Sequence, residues 1–257
     1  MPTHFNFYAL IYYFFIYSFL GWLMESTLNT LKQKSFINRG FLLGPYCPIY
    51  GLGMCTIYLL CFSLRAYHFL VFISGMLFAT LLEYVTGYFM EKLFHAKWWD
   101  YSHFRYNLHG QICLRVSLVW GFLSLLFISY IHPMIMTALK YIPLPLGNVI
   151  LIILCLAFII DFIYSIHIAL KLTAKFPALS EMRLEIIFII ESLKEHLPQN
   201  TDFPKIQLRE RLVNTLIKYH TQLNRFTVGE KRLLKAFPSL KLTSIKTIKN
   251  KFINRGK

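Results

Sequence analysis

Glu25, Glu83, Arg115 and Asp161 are ionisable side chains set in or against long apolar runs, and they are where this chain has chemistry to offer. Glu83 is the single charge between Phe69 and Met90. An isolated carboxylate at such a depth costs roughly 2 to 4 kcal/mol even on lenient insertion scales, so it has to be paired, neutralised or watered. Gly75, Ala79, Glu83 and Gly87 recur every four residues and share one helix face. Small residues let helices approach closely in lipid, which turns that face toward a neighbour and takes the acid inside. Arg115 is the best-placed counter-charge, with Arg39 and Lys92 next, while Asp161 has no evident partner.

Two readings of these charges stand side by side. In one, Glu83 and Arg115 form a buried ion pair that fixes helix register and does nothing more; such pairs add little net stability over an apolar replacement. In the other, a polar cavity open to the cytoplasm is lined by Glu25, Asn38, Arg39, Glu83, Asp100, Asn107, Arg115 and Asp161. That cavity would bind or move a solute or lipid.

The elements that must position these groups are apolar helices. Of 257 residues, 56% are apolar and 15% charged, and mean hydropathy is +0.49, outside the averages for a soluble domain. At ~1.5 Å per residue across a ~30 Å hydrocarbon core, five segments reach spanning length: about 5–27, 46–64, 67–92, 111–131 and 147–170. The first has no preceding Lys or Arg and exits through Gly21-Trp22-Leu23-Met24-Glu25, which marks a span rather than a cleaved signal. The expected fold is an all-α membrane protein with about five transmembrane helices over residues 1–170 and a basic cytoplasmic helical region over 171–257.

Charge divides the chain at the same place. Residues 1–170 carry nine Lys/Arg against five Asp/Glu, and residues 171–257 carry eighteen against seven. Linkers 28–45 and 93–110 are richer in Lys and Arg than the alternate ones, which places them and the tail in the cytoplasm and the N-terminus outside. In the tail, Ser180 is a candidate cap for an amphipathic helix running to about His196, and Pro198 to Pro204 breaks it. Leu212, Leu216, Tyr219, Leu223 and Phe226 then mark a second helix, giving a helical hairpin or short coiled-coil seam. The last stretch, from Lys231, has nine Lys/Arg and no acid, which suits anionic lipid headgroups. It lacks the interleaved aromatics of a nucleic-acid reader.

Both cytoplasmic linkers are distinctive. In NRGFLLGPYCPIYGLG, residues 38–53, glycines and prolines interrupt an apolar stretch, and irregular backbone at membrane depth survives only where protein or a wet cavity satisfies it. A broken or re-entrant segment lining the cavity and a plain turn into the second span both fit. In WWDYSHFRYNLHGQ, residues 98–111, Trp98, Trp99 and Tyr101 suit the headgroup zone. His95, His103 and His109, at spacings of eight and six, match no standard metal site, and the five cysteines form no CxxC pair, so no metal or cofactor is called for.

The segments FLGWLMES (19–26), NRGFLLGPYCPIYGLG (38–53), LLEYVTGYFMEKLFHAKWWDYS (81–102) and NLHGQICLRVSLVWG (107–121) resemble the ABC-transporter type IV family of CmpB-like membrane proteins. RLLKAFPSL (232–240) is similar to that family's C-terminal region. The resemblance implies a multi-pass permease-like component. The chain has no Walker A sequence, so an ATPase would be a separate subunit. A non-catalytic scaffold or sensor, and a membrane-embedded lipid-modifying enzyme using Glu83 or Asp100 as acid and base, are the other function classes open to this sequence.

Overall fold

The computed structural model describes residues 7–195 and 202–242. They form α1 (Phe7–Gln33), α2 (Pro48–Cys61), α3 (His68–Phe94), α4 (Leu114–Leu126), α5 (His132–Leu139), α6 (Leu144–Glu195), α7 (Asp202–Asn224) and α8 (Val228–Ala236). Four pairs of residues make short strands: β1 (Ala96–Lys97), β2 (Asn107–Leu108), β3 (Ile112–Cys113) and β4 (Lys241–Leu242). β2 and β3 close a hairpin within the linker after α3, and β4 pairs antiparallel with β1. The protein is an all-α membrane protein in which four helices are long and apolar enough to cross a bilayer: Phe7–Gln33, His68–Phe94, Leu114–Leu139 and Leu144–Leu193.

The second expected span is a shorter apolar helix, Pro48–Leu64, and the chain before it explains why. The Cys47 amide donates to the Ser18 carbonyl at 2.9 Å, so α2 starts beside the middle of α1 rather than beside its end. Ser18 lies fifteen residues before Gln33, about 22 Å at helical rise. Residues 34–47 therefore descend as irregular backbone before α2 begins. α2 then continues along α1 towards its N-terminal end, Gly51 lying against Phe14 and Cys55 against the Leu10 carbonyl, so this stretch is a broken segment and not a plain turn.

The fourth span is longer than residues 111–131. A π-helical turn at Phe127–Ile131 joins α4 to α5, and Pro133 sits in the first turn of α5, where its missing N–H costs least. The extension buries His132, which hydrogen-bonds Tyr17 through Nδ1 at 2.6 Å and is enclosed by the rings of Tyr13, Tyr58, Phe62 and Phe127.

Ser180 does not start a helix. α6 runs unbroken through residues 170 and 180, with Pro177 inside it, and the Ser180 hydroxyl donates to the Pro177 carbonyl at 2.8 Å. The change from apolar to amphipathic patterning thus occurs within one rod of 52 residues. α7 packs back against its distal half, where Ile189 and Thr215 are buried and Arg211 meets Glu185 at 2.7 Å. Most of the Pro198 to Pro204 break and the basic stretch from residue 243 lie outside the described residues.

α8 closes the end of the bundle where both distinctive linkers meet. Its Leu233 and Ala236, with Phe237 after it, share a core with Phe94, Trp98, Ile168, Ala169 and Leu172. Phe41 of the first linker and Trp98 of the second stand 5.1 Å apart in that core, so both linkers lie at one end of the molecule. Trp98 is 2% exposed, a protein-core residue rather than a headgroup anchor.

Candidate functional site

The four-residue row on α3 faces inward as its small residues dictate: Gly75, Ala79, Glu83 and Gly87 are all buried. Gly75 lies against Ser124 of α4, with no room for a β-carbon. Glu83, 6% exposed, is consequently held between helices rather than presented to lipid.

Its partners are not cationic. The Tyr101 hydroxyl donates to Oε1 and the Trp120 indole N–H donates to Oε2, each at 3.0 Å. Arg115 is exposed, with its guanidinium 5.5 Å from the centre of the Phe104 ring. The expected Glu83–Arg115 pair is therefore replaced by two neutral donors, which satisfy the carboxylate oxygens without cancelling their charge. Arg115 is the second residue of α4, and its side chain lies over Phe104 of the preceding linker instead of turning to α3.

Tyr101 belongs to the linker between α3 and α4, and its role there corrects the headgroup assignment. Burial, and then the adjoining Glu83 carboxyl, push its phenol far above the usual range. It is a hydrogen-bond donor to Glu83 and holds its proton.

A second acid lies close by. Tyr50 of α2 donates to Glu25 Oε1 at 2.7 Å, and its ring is 5.4 Å from that of Trp120. Glu25, Tyr50, Trp120, Glu83 and Tyr101 thus form one chain of acids and aromatic donors linking α1, α2, α3, α4 and the second linker. Arg39 Nε stands 3.6 Å from Glu25 Oε2. The cleft beside Glu83 is lined by Tyr50, Gly53, Met54, Leu82 and Trp120, and its enclosed volume is about 10 Å³, room for one water site.

The remaining sequence candidates shape loops. Asn38 accepts from the Trp22 indole at 2.8 Å and donates to the Leu43 carbonyl at 2.6 Å. Asp100 accepts from the Ser102 amide at 2.9 Å, and Asn107 donates to the Phe104 carbonyl at 2.8 Å while accepting from the Gly110 amide. Asp161 has partners after all: the Leu43 and Gly44 amides donate to its two oxygens at 2.9 and 2.7 Å, and Ser165 adds a third hydrogen bond.

Those amides belong to the irregular segment before α2, whose carbonyls are answered from the other side. Arg232 of α8 donates to the carbonyls of Gly40, Phe41 and Leu42 at 2.8 to 2.9 Å. Lys235 reaches Phe36 O at 3.0 Å, and Arg39 donates in return to Ala236 O. The irregular backbone is thus strung between an anion on α6 and a cation on α8.

Of the residues expected from sequence, Glu25, Arg39 and Glu83 lie in this neighbourhood, and Tyr50, Tyr101, Trp120 and Arg232 were not among the candidates. Trp120 carried a signal: an indole inside an apolar span brings an N–H that needs an acceptor. Arg232 carried none, since one Arg in a basic tail looks like any other.

Among the described residues no group of three or more His, Cys, Asp or Glu is arranged to hold a metal ion. No curated protein and no solved structure matches the chain. A family model does match, over residues 12–166, which takes in both the irregular segment before α2 and the acid cluster and ends before the tail stretch 232–240. Since that match spans more than half of the 257 residues, the chain belongs to the family described as Putative ABC-transporter type IV.

Proposed function

We propose that this protein is the membrane-spanning, permease-like component of a transporter, and that Glu83 recognises a cationic cargo. The observation that carries the reading is the buried Glu83 carboxylate, whose hydrogen-bond partners, Tyr101 and Trp120, are both uncharged. Burying a charge without a counter-charge is costly, and such groups inside a membrane mark substrate or ion pathways. The Trp120 and Tyr50 rings beside it supply π faces that favour organic cations.

In this reading the described conformation is the closed one. Tyr101 holds the linker over Glu83, and the cleft opens when that linker lifts. The basic linkers support a cytoplasmic position for this end, with the N-terminus outside, residues 1–170 as the membrane part and 171–257 as the cytoplasmic part. ATP hydrolysis comes from a separate nucleotide-binding subunit.

Membrane vesicles carrying wild-type protein or Glu83→Gln, loaded with a panel of organic cations and read by mass spectrometry, test the cargo assignment. Glu83→Gln should remain in the membrane at normal abundance and lose transport of the cation that the wild type moves. Unchanged transport by the variant would sink the assignment. Purification in mild detergent should bring an ATPase along, and its repeated absence would remove the transporter half of the reading. The tail as a free recruiting module is disfavoured by α8, whose apolar face is built into the same core as Phe94 and Trp98.

A further inference from the structure

Two turns beyond Glu83 on the same face of α3 is a second acid, Glu91, at the edge of a small polar pocket. Gly87, Met90, Glu91, Lys97, Trp98, Trp99 and Gln111 line it, and its enclosed part is about 10 Å³, the measure of one water or one ammonium group. The Gln111 side chain donates to Glu91 Oε2 at 2.8 Å. Its other atom, Oε1, is buried with no hydrogen-bond partner among the described residues, and Gln111 is only 5% exposed. Gly87 keeps open the space next to that oxygen: a β-carbon there would lie 3.5 Å from Oε1 and 3.1 Å from the Trp99 ring.

The Trp99 indole is satisfied, donating to the Gln111 carbonyl at 2.9 Å. A buried acceptor left without a partner forfeits roughly 1 to 3 kcal/mol, so the Gln111 oxygen calls for a ligand that brings a donor into the pocket. Glu91 and Lys97 carry the two charges such a ligand would need to meet. Lys97 is partly exposed and Gln111 buried, which puts the acceptor oxygen inside and the cation toward the opening.

We propose that this pocket binds the primary ammonium group of a zwitterionic aminophosphate, presented by a phospholipid headgroup. The ammonium donates to Gln111 Oε1 and Glu91, and the phosphate is met by Lys97 at the opening. The lipid source follows from the surroundings. Tyr88, Phe89 and Leu93, beside Glu91 at the end of a membrane-spanning helix, are exposed apolar side chains along which acyl chains can lie. The one-water-sized interior admits –NH₃⁺ and excludes a trimethylammonium group, so phosphatidylethanolamine is selected over phosphatidylcholine. This site is separate from the Glu83 cluster and does not depend on what the protein transports.

Full-length protein in nanodiscs of equimolar phosphatidylethanolamine, phosphatidylcholine and phosphatidylglycerol, read by native mass spectrometry, tests the assignment. Phosphatidylethanolamine should be retained over both others, and Glu91→Gln or Lys97→Met should cut that preference by about tenfold or more, the loss expected for a charge-assisted hydrogen bond. Because Lys97 also donates to the His109 carbonyl at 2.8 Å and Glu91 accepts from Gln111, thermal stability is measured alongside; loss of the preference at wild-type stability supports the site, and an unchanged preference in both variants overturns it. Soluble O-phosphoethanolamine identifies the source. Displacement of the retained lipid by it supports the headgroup, while binding of it without any lipid preference overturns the lipid assignment. Equal retention of the three lipids with no binding of the soluble compound overturns the site altogether.

Discussion

Arg232 and Gly40 are 192 residues apart in sequence and joined by a 2.9 Å hydrogen bond from guanidinium to carbonyl. The same guanidinium takes the next two carbonyls, so α8 is a structural part of the irregular segment before α2. Arg232→Ala should cost about 2 to 4 kcal/mol, since charged hydrogen bonds contribute roughly 1.5 to 3 kcal/mol and their loss here strands buried carbonyls. Arg232→Lys should recover only part, because an ammonium cannot reproduce the planar fork. Thermal unfolding in detergent, with and without added guanidinium ion, checks this: the ion should restore stability to Arg232→Ala and leave the wild type unmoved.

On the opposite side of the segment, Asp161 answers two amides with two oxygens. Asn at this position keeps one acceptor and turns an NH₂ toward the second amide. Asp161→Asn should therefore destabilise by about 1 to 3 kcal/mol. Proteolysis within residues 34–47 should accelerate in the variant and not elsewhere in the chain; uniform susceptibility would show that Asp161 does not act on this segment.

These two clamps show why the sequence was only partly legible. The inward row of Gly75, Ala79, Glu83 and Gly87 could be read because it depends on helical periodicity alone, which is local. The partner of Glu83 could not, because searching for an opposite charge overlooks neutral donors: Tyr101 reads as an interfacial aromatic, and the Trp120 indole is an uncharged ring inside an apolar span. The partners of Asp161 are main-chain amides, which no side-chain pattern announces. α6 misled for a different reason: Ser180 follows Pro177 and resembles a cap, yet the helix accepts the proline and continues.

Trp120 tests the neutral-donor arrangement. Trp120→Phe keeps an aromatic ring against Tyr50 and removes the N–H from Glu83 Oε2, leaving a buried carboxylate oxygen without its donor. The expected cost is about 1 to 3 kcal/mol. Tyr101→Phe strips the other oxygen, and the two losses should be non-additive because both act on one group. A double-mutant cycle on thermal stability measures the coupling, and strict additivity would mean that the two donors serve different partners.

The close approach of α1 and α2 depends on Gly51. A β-carbon there would lie 2.6 Å from the Phe14 carbonyl oxygen as well as against the Ser18 hydroxyl, and backbone cannot swing aside as a side chain can. Gly51→Ala should separate the helices at the point where Tyr50 meets Glu25, with a cost of about 1 to 3 kcal/mol from overpacking. Reduced abundance in the membrane, together with loss of protection from hydrogen exchange around Cys47 to Cys55, is the expected result. Gly53→Ala, whose nearest neighbour is a Leu82 methyl at 3.4 Å, is the matched control and should be mild.

Acid should release α8. Glu230 is buried, which raises its carboxyl, but the Lys175 ammonium at 2.6 Å and the Thr227 amide at 2.7 Å outweigh that and hold it below the ordinary value of 4.5. A depressed carboxyl contributes stability that is fully present above its unfolded value and disappears as pH falls through its folded value. The docking of α8 should consequently be constant from neutral pH down to about 4.5 and weaken below it. Amide exchange of residues 228–236, followed by mass spectrometry between pH 7 and 3.5 with correction for intrinsic rates, reads this directly. Glu230→Gln should exchange faster at neutral pH and lose the acid-dependent step, because the group that titrates is gone. Since Arg232 rides on the same helix, exchange in residues 40–44 should rise in the same pH window.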